Sequence, residues 1–292
     1  MKLVTKFNMV LTGVSAIGIL GTGILSYSIL QDHAKNDVMK HARMMMEIAT
    51  AIRHYTLGEV SPLLGLQPGD AFLPQSVPSY AAIQSFNRLR ENHPDYQYRE
   101  VSLNPTNPRN LALGWEKNIL KQFSNNKSDK TLDGIRSTST GQSLYIARPI
   151  YADSKTCLSC HSDPALAPTT MIERYGSATG FGWKLNDLIG AQIVSVPLSA
   201  TTKNANDAFI TLMTAISGVF VLTIIVLNVV LHRIIVKPIV RMAERADQIS
   251  LGETGISEFD ETGEDEMSLL GISFNRLRRS LEKAMSMLED RD

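Results

Sequence analysis

Residues 7–31 read FNMVLTGVSAIGILGTGILSYSILQ, 25 positions without a charged side chain. An α-helix needs about 20 predominantly apolar residues to cross the hydrocarbon core of a bilayer, so this stretch predicts a membrane-spanning helix. Residues 208–231 form a second uncharged run, 24 positions long and rich in Ile, Val and Leu. A buried core helix seldom runs so far without a polar face, so a soluble enzyme is disfavoured. A cleavable signal peptide is the alternative for the first run, but its apolar region would be only about 7 to 15 residues long. Ser26-Tyr27-Ser28-Ile29-Leu30 also offers no good small-x-small cleavage site, which favours an uncleaved anchor.

Lys2 and Lys6 precede the first run, and His232, Arg233, Lys237 and Arg241 follow the second. By the positive-inside rule both termini face the cytoplasm. The expected organisation is a short cytoplasmic edge and first span (1–31), an outside domain (32–206), a second span (207–232) and a cytoplasmic tail (233–292). The expected location is a bacterial inner membrane, with the middle domain periplasmic. Across its 292 residues the chain balances 29 basic against 29 acidic side chains, so nothing global points to nucleic acid as a partner. With 43% hydrophobic and 20% charged residues it is neither disordered nor a disulfide-dense scaffold.

Residues 32–56 read as a helix continuing outward from the first span, with Met44, Met45, Ile48, Ala51, Ile52 and Tyr55 near one face. The prolines between Ser61 and Pro78 are expected to break any helix there. Residues 81–90 and 115–123 read as helices, and 96–103, 143–150 and 188–196 as strands. Short strands mixed with helices predict an α+β domain on an antiparallel sheet.

The chain has two cysteines, and both lie in Cys157-Leu158-Ser159-Cys160-His161, the attachment pattern of c-type haem. Two thiols three positions apart can form thioethers to the vinyl groups on one edge of a porphyrin, while the adjacent imidazole ligates the iron. A structural disulfide or redox dithiol is the competing reading, although a thioredoxin-like motif would need a βαβ context. A closed zinc site would need a second ligand pair. One covalently attached haem c is therefore expected, bound by Cys157, Cys160 and His161, with His161 as the proximal metal ligand. For the sixth position Met45 is the choice, on the most methionine-rich segment of the outside domain. Met44, Met46, His33, His41, His54, His93 and an open position remain alternatives, and core filling is the ordinary role of a helical methionine.

Several stretches in order resemble the c-type haem sensor family with a PAS-like fold that precedes HAMP domains. They include residues 42–56 with Arg53 and Tyr55, Val77-Pro78-Ser79-Tyr80-Ala81-Ala82, Tyr96-Gln97-Tyr98 and Asn104-Pro105-Thr106-Asn107. The series continues through residues 145–149, the cysteine motif, Tyr175-Gly176, Gly180-Phe181-Gly182-Trp183 and residues 190–197. The resemblance implies a haem-bearing PAS-like sheet between the two spans. Arg53 and Arg148 are candidate partners for haem propionates.

In the tail, Ile239, Met242, Ala246 and Ile249 mark one amphipathic helix, and Leu270, Phe274, Leu277, Leu281, Met285 and Leu288 a second. A connector containing Gly252, Gly255 and Gly263 joins them, and Glu264-Asp265-Glu266 suits the positive end of the second helix dipole. Pro238 and Asp265-Glu266-Met267-Ser268-Leu269-Leu270 with Phe274-Asn275 resemble a HAMP domain, with Ser268 where the family often has glycine. The resemblance implies a parallel four-helix homodimer, and two such helices alone could not bury their seams.

An outside haem domain, two spans in the bilayer and an inside coiled coil predict a receptor. It would pass a redox or diatomic-gas signal to a separate cytoplasmic output protein such as a histidine kinase. The alternative is a membrane-bound monohaem electron carrier with a redox partner, for which the tail is superfluous. A third reading is a small-molecule receptor that works without haem. No enzyme is expected, because His93, Asp95, Glu116 and Asp163 are scattered and no nucleophile, base and orienting acid recur at a defined spacing.

Overall fold

The computed structural model describes residues 3–65, 71–139, 141–251, 253, 256–259 and 263–289. It divides into two units, residues 26–209 and residues 1–25 with 210–292. In chain order the first long helix is α1 (Leu3–Tyr55), followed by a π-helical stretch (Thr56–Val60), the single turn α2 (Ser61–Leu64) and α3 (Pro78–Asn92). Next come β1 (Gln97–Val101), α4 (Trp115–Asn125), β2 (Leu132–Thr138), β3 (Gly141–Tyr151), α5 (Lys155–His161), α6 (Thr169–Tyr175) and β4 (Leu188–Pro197). The second long helix α7 (Ser199–Val230) leads through another π-helical stretch (Leu231–Val236) into α8 (Lys237–Ser250), and α9 (Glu266–Glu289) closes the described chain.

In the unit of residues 26–209 the four strands form one antiparallel sheet in the order β1-β4-β3-β2. Side chains alternate across a strand, and the two faces have separate cores. Tyr98, Leu144, Ile146, Val194 and Val196 pack with Val38, Ala42, Met45, Met46 and Ala49 of α1 and with Ala82 and Phe86 of α3. Val101, Ala147, Ala191 and Ile193 pack with Ile119, Leu120 and Phe123 of α4. The α+β class and the antiparallel sheet agree with the sequence reading.

The buried stripe of α1 differs from the one expected. Met45 and Ile52 face the sheet, whereas Met44, Ile48, Ala51 and Tyr55 are exposed. Both stripes repeat at 3 and 4 residues and both are apolar, so periodicity alone does not choose between them. Ala42 and Ala49, each with no exposed surface, permit the close approach to the sheet that larger residues would prevent. Two ion pairs fix the docking: Arg53 Nη1 lies 2.5 Å from Glu100 Oε2 on β1, and Arg148 Nη2 on β3 lies 2.5 Å from Glu47 Oε1.

The prolines act differently from the expectation. Helical backbone continues past Tyr55 to Leu64 despite Pro62, because the preceding turn widens: the Ser61 N–H donates five residues back to Thr56. The same device precedes Pro238, where the Lys237 N–H donates to the His232 carbonyl. Proline lacks an N–H and its ring presses on the carbonyl four residues earlier, and a π turn relieves both problems without ending the helix.

In the other unit, the Asn8 side-chain amide donates to Asn228 Oδ1 at 2.8 Å, joining the two apolar helices. Both helices are long and apolar enough to cross a membrane, and almost none of their apolar windows is buried within the protein. The connector between α8 and α9 is tied to α9 by Asn275, which is 1% exposed. Its amide donates to the Phe259 carbonyl at 2.9 Å and accepts from the Phe259 N–H at 3.0 Å. Leu270, Leu277 and Leu281 on α9 are exposed in the single chain. Gly252 and Gly255 lie outside the described residues, as do the side chains of Met285 and Leu288.

Candidate functional site

The cysteine motif forms α5, a helix absent from the sequence reading. Ser154 caps it by accepting the Thr156 N–H at 3.2 Å, a role that suits serine because its short side chain reaches the open amides of the first turn. Helical spacing then places Cys157 and Cys160 on one side, since residues three apart are neighbours on a helix surface. Both are half-buried free thiols. Burial raises the Cys157 pKa, with the Ser154 backbone and Arg53 acting in the opposite direction and Asp153 adding to the rise, so the sulfur favours its protonated form.

His161 closes α5 and is fixed on three sides. Its Nδ1 lies 2.8 Å from the Gly180 carbonyl and 3.3 Å from Thr106 Oγ1. The Trp183 ring stacks on the imidazole, with centroids 4.0 Å apart and planes 14° from parallel. Phe181 lies farther off at 6.3 Å. A carbonyl can only accept, so Nδ1 carries the proton and Nε2 keeps its lone pair. Burial lowers the His161 pKa, with the Gly180 carbonyl opposing, so the ring favours the neutral form. A neutral imidazole with one nitrogen satisfied and the other available is a metal ligand in waiting.

The loop that carries the acceptor is held closely. The Gly182 N–H donates to the Ser162 carbonyl at 3.1 Å, and the Trp183 N–H to the His161 carbonyl at 3.2 Å. Gly180 has φ +85°, and a Cβ there would come within 2.2 Å of Thr106 Oγ1 and 2.6 Å of its Cα. Only glycine meets both demands, the left-handed backbone and the close approach.

Of the residues expected at the site, α5 brings Cys157, Cys160 and His161 together. Met45 is 7% exposed and belongs to the core between α1 and the sheet, alongside fully buried Met46, while Met44 is exposed. His54 is exposed as well. Arg53 and Arg148, the candidate propionate partners, pair with Glu100 and Glu47. Burial works against the charged form of Arg53, but the Glu100 carboxylate beside it outweighs that effect and raises the pKa. Glu116 is buried, accepting the Leu113 N–H at 2.9 Å and pairing with Arg99 at 3.0 Å. Asn104, Thr106, Gly180 and Trp183 had no assigned role in the sequence reading. The turn pattern Gly180-x-Gly182-Trp183, ending in an aromatic residue, could have pointed to Gly180 and Trp183, but no local pattern links Asn104 or Thr106 to them.

Comparison with known proteins follows the two units. Residues 230–283 match the HAMP domain family. The crystal structure of the cyanobacterial heme-protein Tll0287 is similar at 19% identity and a TM-score of 0.43, over 55% of this chain and 94% of that one. No curated protein matches the chain. Residues 31–197, more than half of the sequence, match the Tll0287-like family, and the chain belongs to that family, with a HAMP domain following.

Proposed function

We propose that the chain is a membrane-anchored c-type haem sensor, with its 32–206 domain outside and its HAMP domain inside the cytoplasmic membrane. The fixed His161 imidazole carries this reading. The donor set fits a covalently held haem: Cys157 and Cys160 would form the thioethers, and His161 Nε2 would ligate the iron. A bound haem would supply a redox couple and a site for a diatomic gas.

The chain's own residues perform the remaining tasks. The Gly180 carbonyl sets the tautomer of His161, and Trp183 sets the ring plane. Met45 is proposed as the sixth ligand, which would require its sulfur to turn from its core neighbours. Glu47 and Arg53 dock α1 onto the sheet, and the same helix carries the N-terminal apolar segment. The HAMP domain, paired with that of a second copy, then conveys a change of packing to a separate cytoplasmic output protein such as a histidine kinase. A differential of about 1–3 kcal/mol between two packings suffices for a useful response.

Optical and EPR spectra of the full-length protein, oxidised and reduced, with and without CO or NO, test the site. His161→Ala should retain the attached porphyrin and change its coordination signature, and an unchanged spectrum would refute the proximal assignment. Met45→Ala should abolish any sulfur-to-iron charge-transfer band; survival of that band would move the sixth position to Met44 or Met46, and a wild-type protein without such a band would move it to His54 or leave it open.

A further inference from the structure

The carbonyl that accepts the His161 Nδ1–H hydrogen bond lies between two hydrogen bonds to one side chain. Asn104 Oδ1 accepts the Gly180 N–H at 2.9 Å, and Asn104 Nδ2 donates to the Phe181 carbonyl at 3.1 Å. The Gly180 carbonyl lies between these two points, so its direction depends on Asn104. The asparagine is itself anchored, its N–H donating to Ser102 Oγ at 3.1 Å. Ser102 bonds in turn through its backbone to Asn110 and Ala112, closing the loop that follows β1. The missing Cβ of Gly180 lets its backbone press against Thr106, so a displacement of either segment displaces the other.

Four residues before Asn104, Glu100 is 6% exposed on β1. Its two oxygens are divided between Arg53 at 2.5 Å and the Tyr98 hydroxyl at 2.6 Å. Arg53 belongs to α1. A chain of named contacts thus runs from the imidazole to Gly180, Asn104, β1, Glu100 and Arg53.

We propose that Asn104 is the positioning residue for the His161 ligand, and that β1 with the Glu100–Arg53 pair carries a change at that imidazole to α1. This rests on the reading of His161 as a haem ligand. The Nδ1 proton becomes a stronger donor as Nε2 gives up electron density, and the hydrogen-bond partner of a ligating histidine tunes its basicity. Asn104 fixes the acceptor against which that change acts. Spatial continuity alone does not establish coupling, so the two halves need separate measurements.

The test uses haem-loaded full-length protein in lipid nanodiscs. Redox titration reads the midpoint potential, and hydrogen exchange of residues 49–56 compares the oxidised and reduced states. Asn104→Asp keeps the acceptor for Gly180 and loses the donor to Phe181. Asn104 lies at the surface, so both this change and Asn104→Ala are compatible with a folded domain. Both should shift the midpoint potential, and Asn104→Ala, which adds no charge, should raise it, because a less firmly held carbonyl leaves the imidazole less basic. Glu100→Gln and Arg53→Gln should make exchange in residues 49–56 equal in the two states.

Wild-type potentials in both Asn104 variants would overturn the positioning role. A wild-type exchange difference in both Glu100→Gln and Arg53→Gln would overturn the route to α1, as would a wild-type protein whose exchange is the same in both states. A wild-type chain without a covalent haem spectrum sinks the parent reading and this proposal together, whereas the other failures leave the parent reading standing.

Discussion

Gly180 and Gly182 provide an internally controlled test of how the His161 loop is built. Their φ angles are +85° and +82°, but a Cβ on Gly182 would meet nothing within 4 Å, whereas one on Gly180 would sit 2.2 Å from Thr106 Oγ1. Alanine at either position incurs the left-handed penalty, about 1–2 kcal/mol. Gly180→Ala adds an overpacking cost of about 1–3 kcal/mol, because the clash includes the Thr106 backbone. The expected losses are therefore about 1–2 kcal/mol for Gly182→Ala and about 2–5 kcal/mol for Gly180→Ala. Urea unfolding followed by tryptophan fluorescence suits the comparison, since Trp183 is one of two tryptophans in the chain and stacks on His161. Gly180→Ala should also alter the Trp183 emission of the folded protein, because the loop must shift. Equal losses for the two variants, with unchanged emission, would refute the close approach of Gly180 to Thr106 and the orientation of His161 that depends on it.

Met46→Ala should destabilise the 26–209 unit by about 2–5 kcal/mol, the usual range for emptying a core position, while exposed Met44→Ala should have little effect; the same unfolding experiment checks both. Burial, reinforced by the Glu100 carboxylate, holds the Tyr98 phenol far above the usual tyrosine range. Its folded pKa exceeds the unfolded value of about 10, so the stability it contributes is present below that pH and is lost as the pH rises beyond it. Ultraviolet titration should accordingly find one tyrosine that ionises only on alkaline unfolding, and Tyr98→Phe should remove that component. In the HAMP unit, Asn275→Ala leaves the Phe259 backbone groups without their side-chain partner, a loss of about 1–3 kcal/mol, and limited proteolysis should show faster cleavage of the connector. Deleting residues 237–292 should abolish output while leaving the haem spectrum intact; unimpaired function would favour the electron-carrier reading instead.

Much of the architecture was legible because the residues concerned obey one dominant constraint. The apolar runs flanking the middle domain have a length that few other structures require, the strand around Tyr98 alternates as a strand does, and Leu144 and Val194 sit in short apolar runs of strand length. β2 was not legible: its alternation sets Ile135, an exposed isoleucine, among polar neighbours, and its pairing with β3 supplies the order that its own sequence lacks. The α1 face was misassigned because two apolar stripes share one periodicity and only packing against the sheet separates them. At the site, the cysteine motif was legible from spacing. Asn104, 57 residues before His161, acts through a loop closed by Gly180, and no local pattern in the chain connects the two.

Intact mass analysis of the mature full-length protein under denaturing conditions, after expression with c-type haem maturation machinery, decides whether a haem is covalently attached. The expected result is a polypeptide heavier by one haem, with the addition mapping to a peptide containing Cys157 and Cys160. The polypeptide mass alone, with two free thiols or a cystine at those positions, would contradict it.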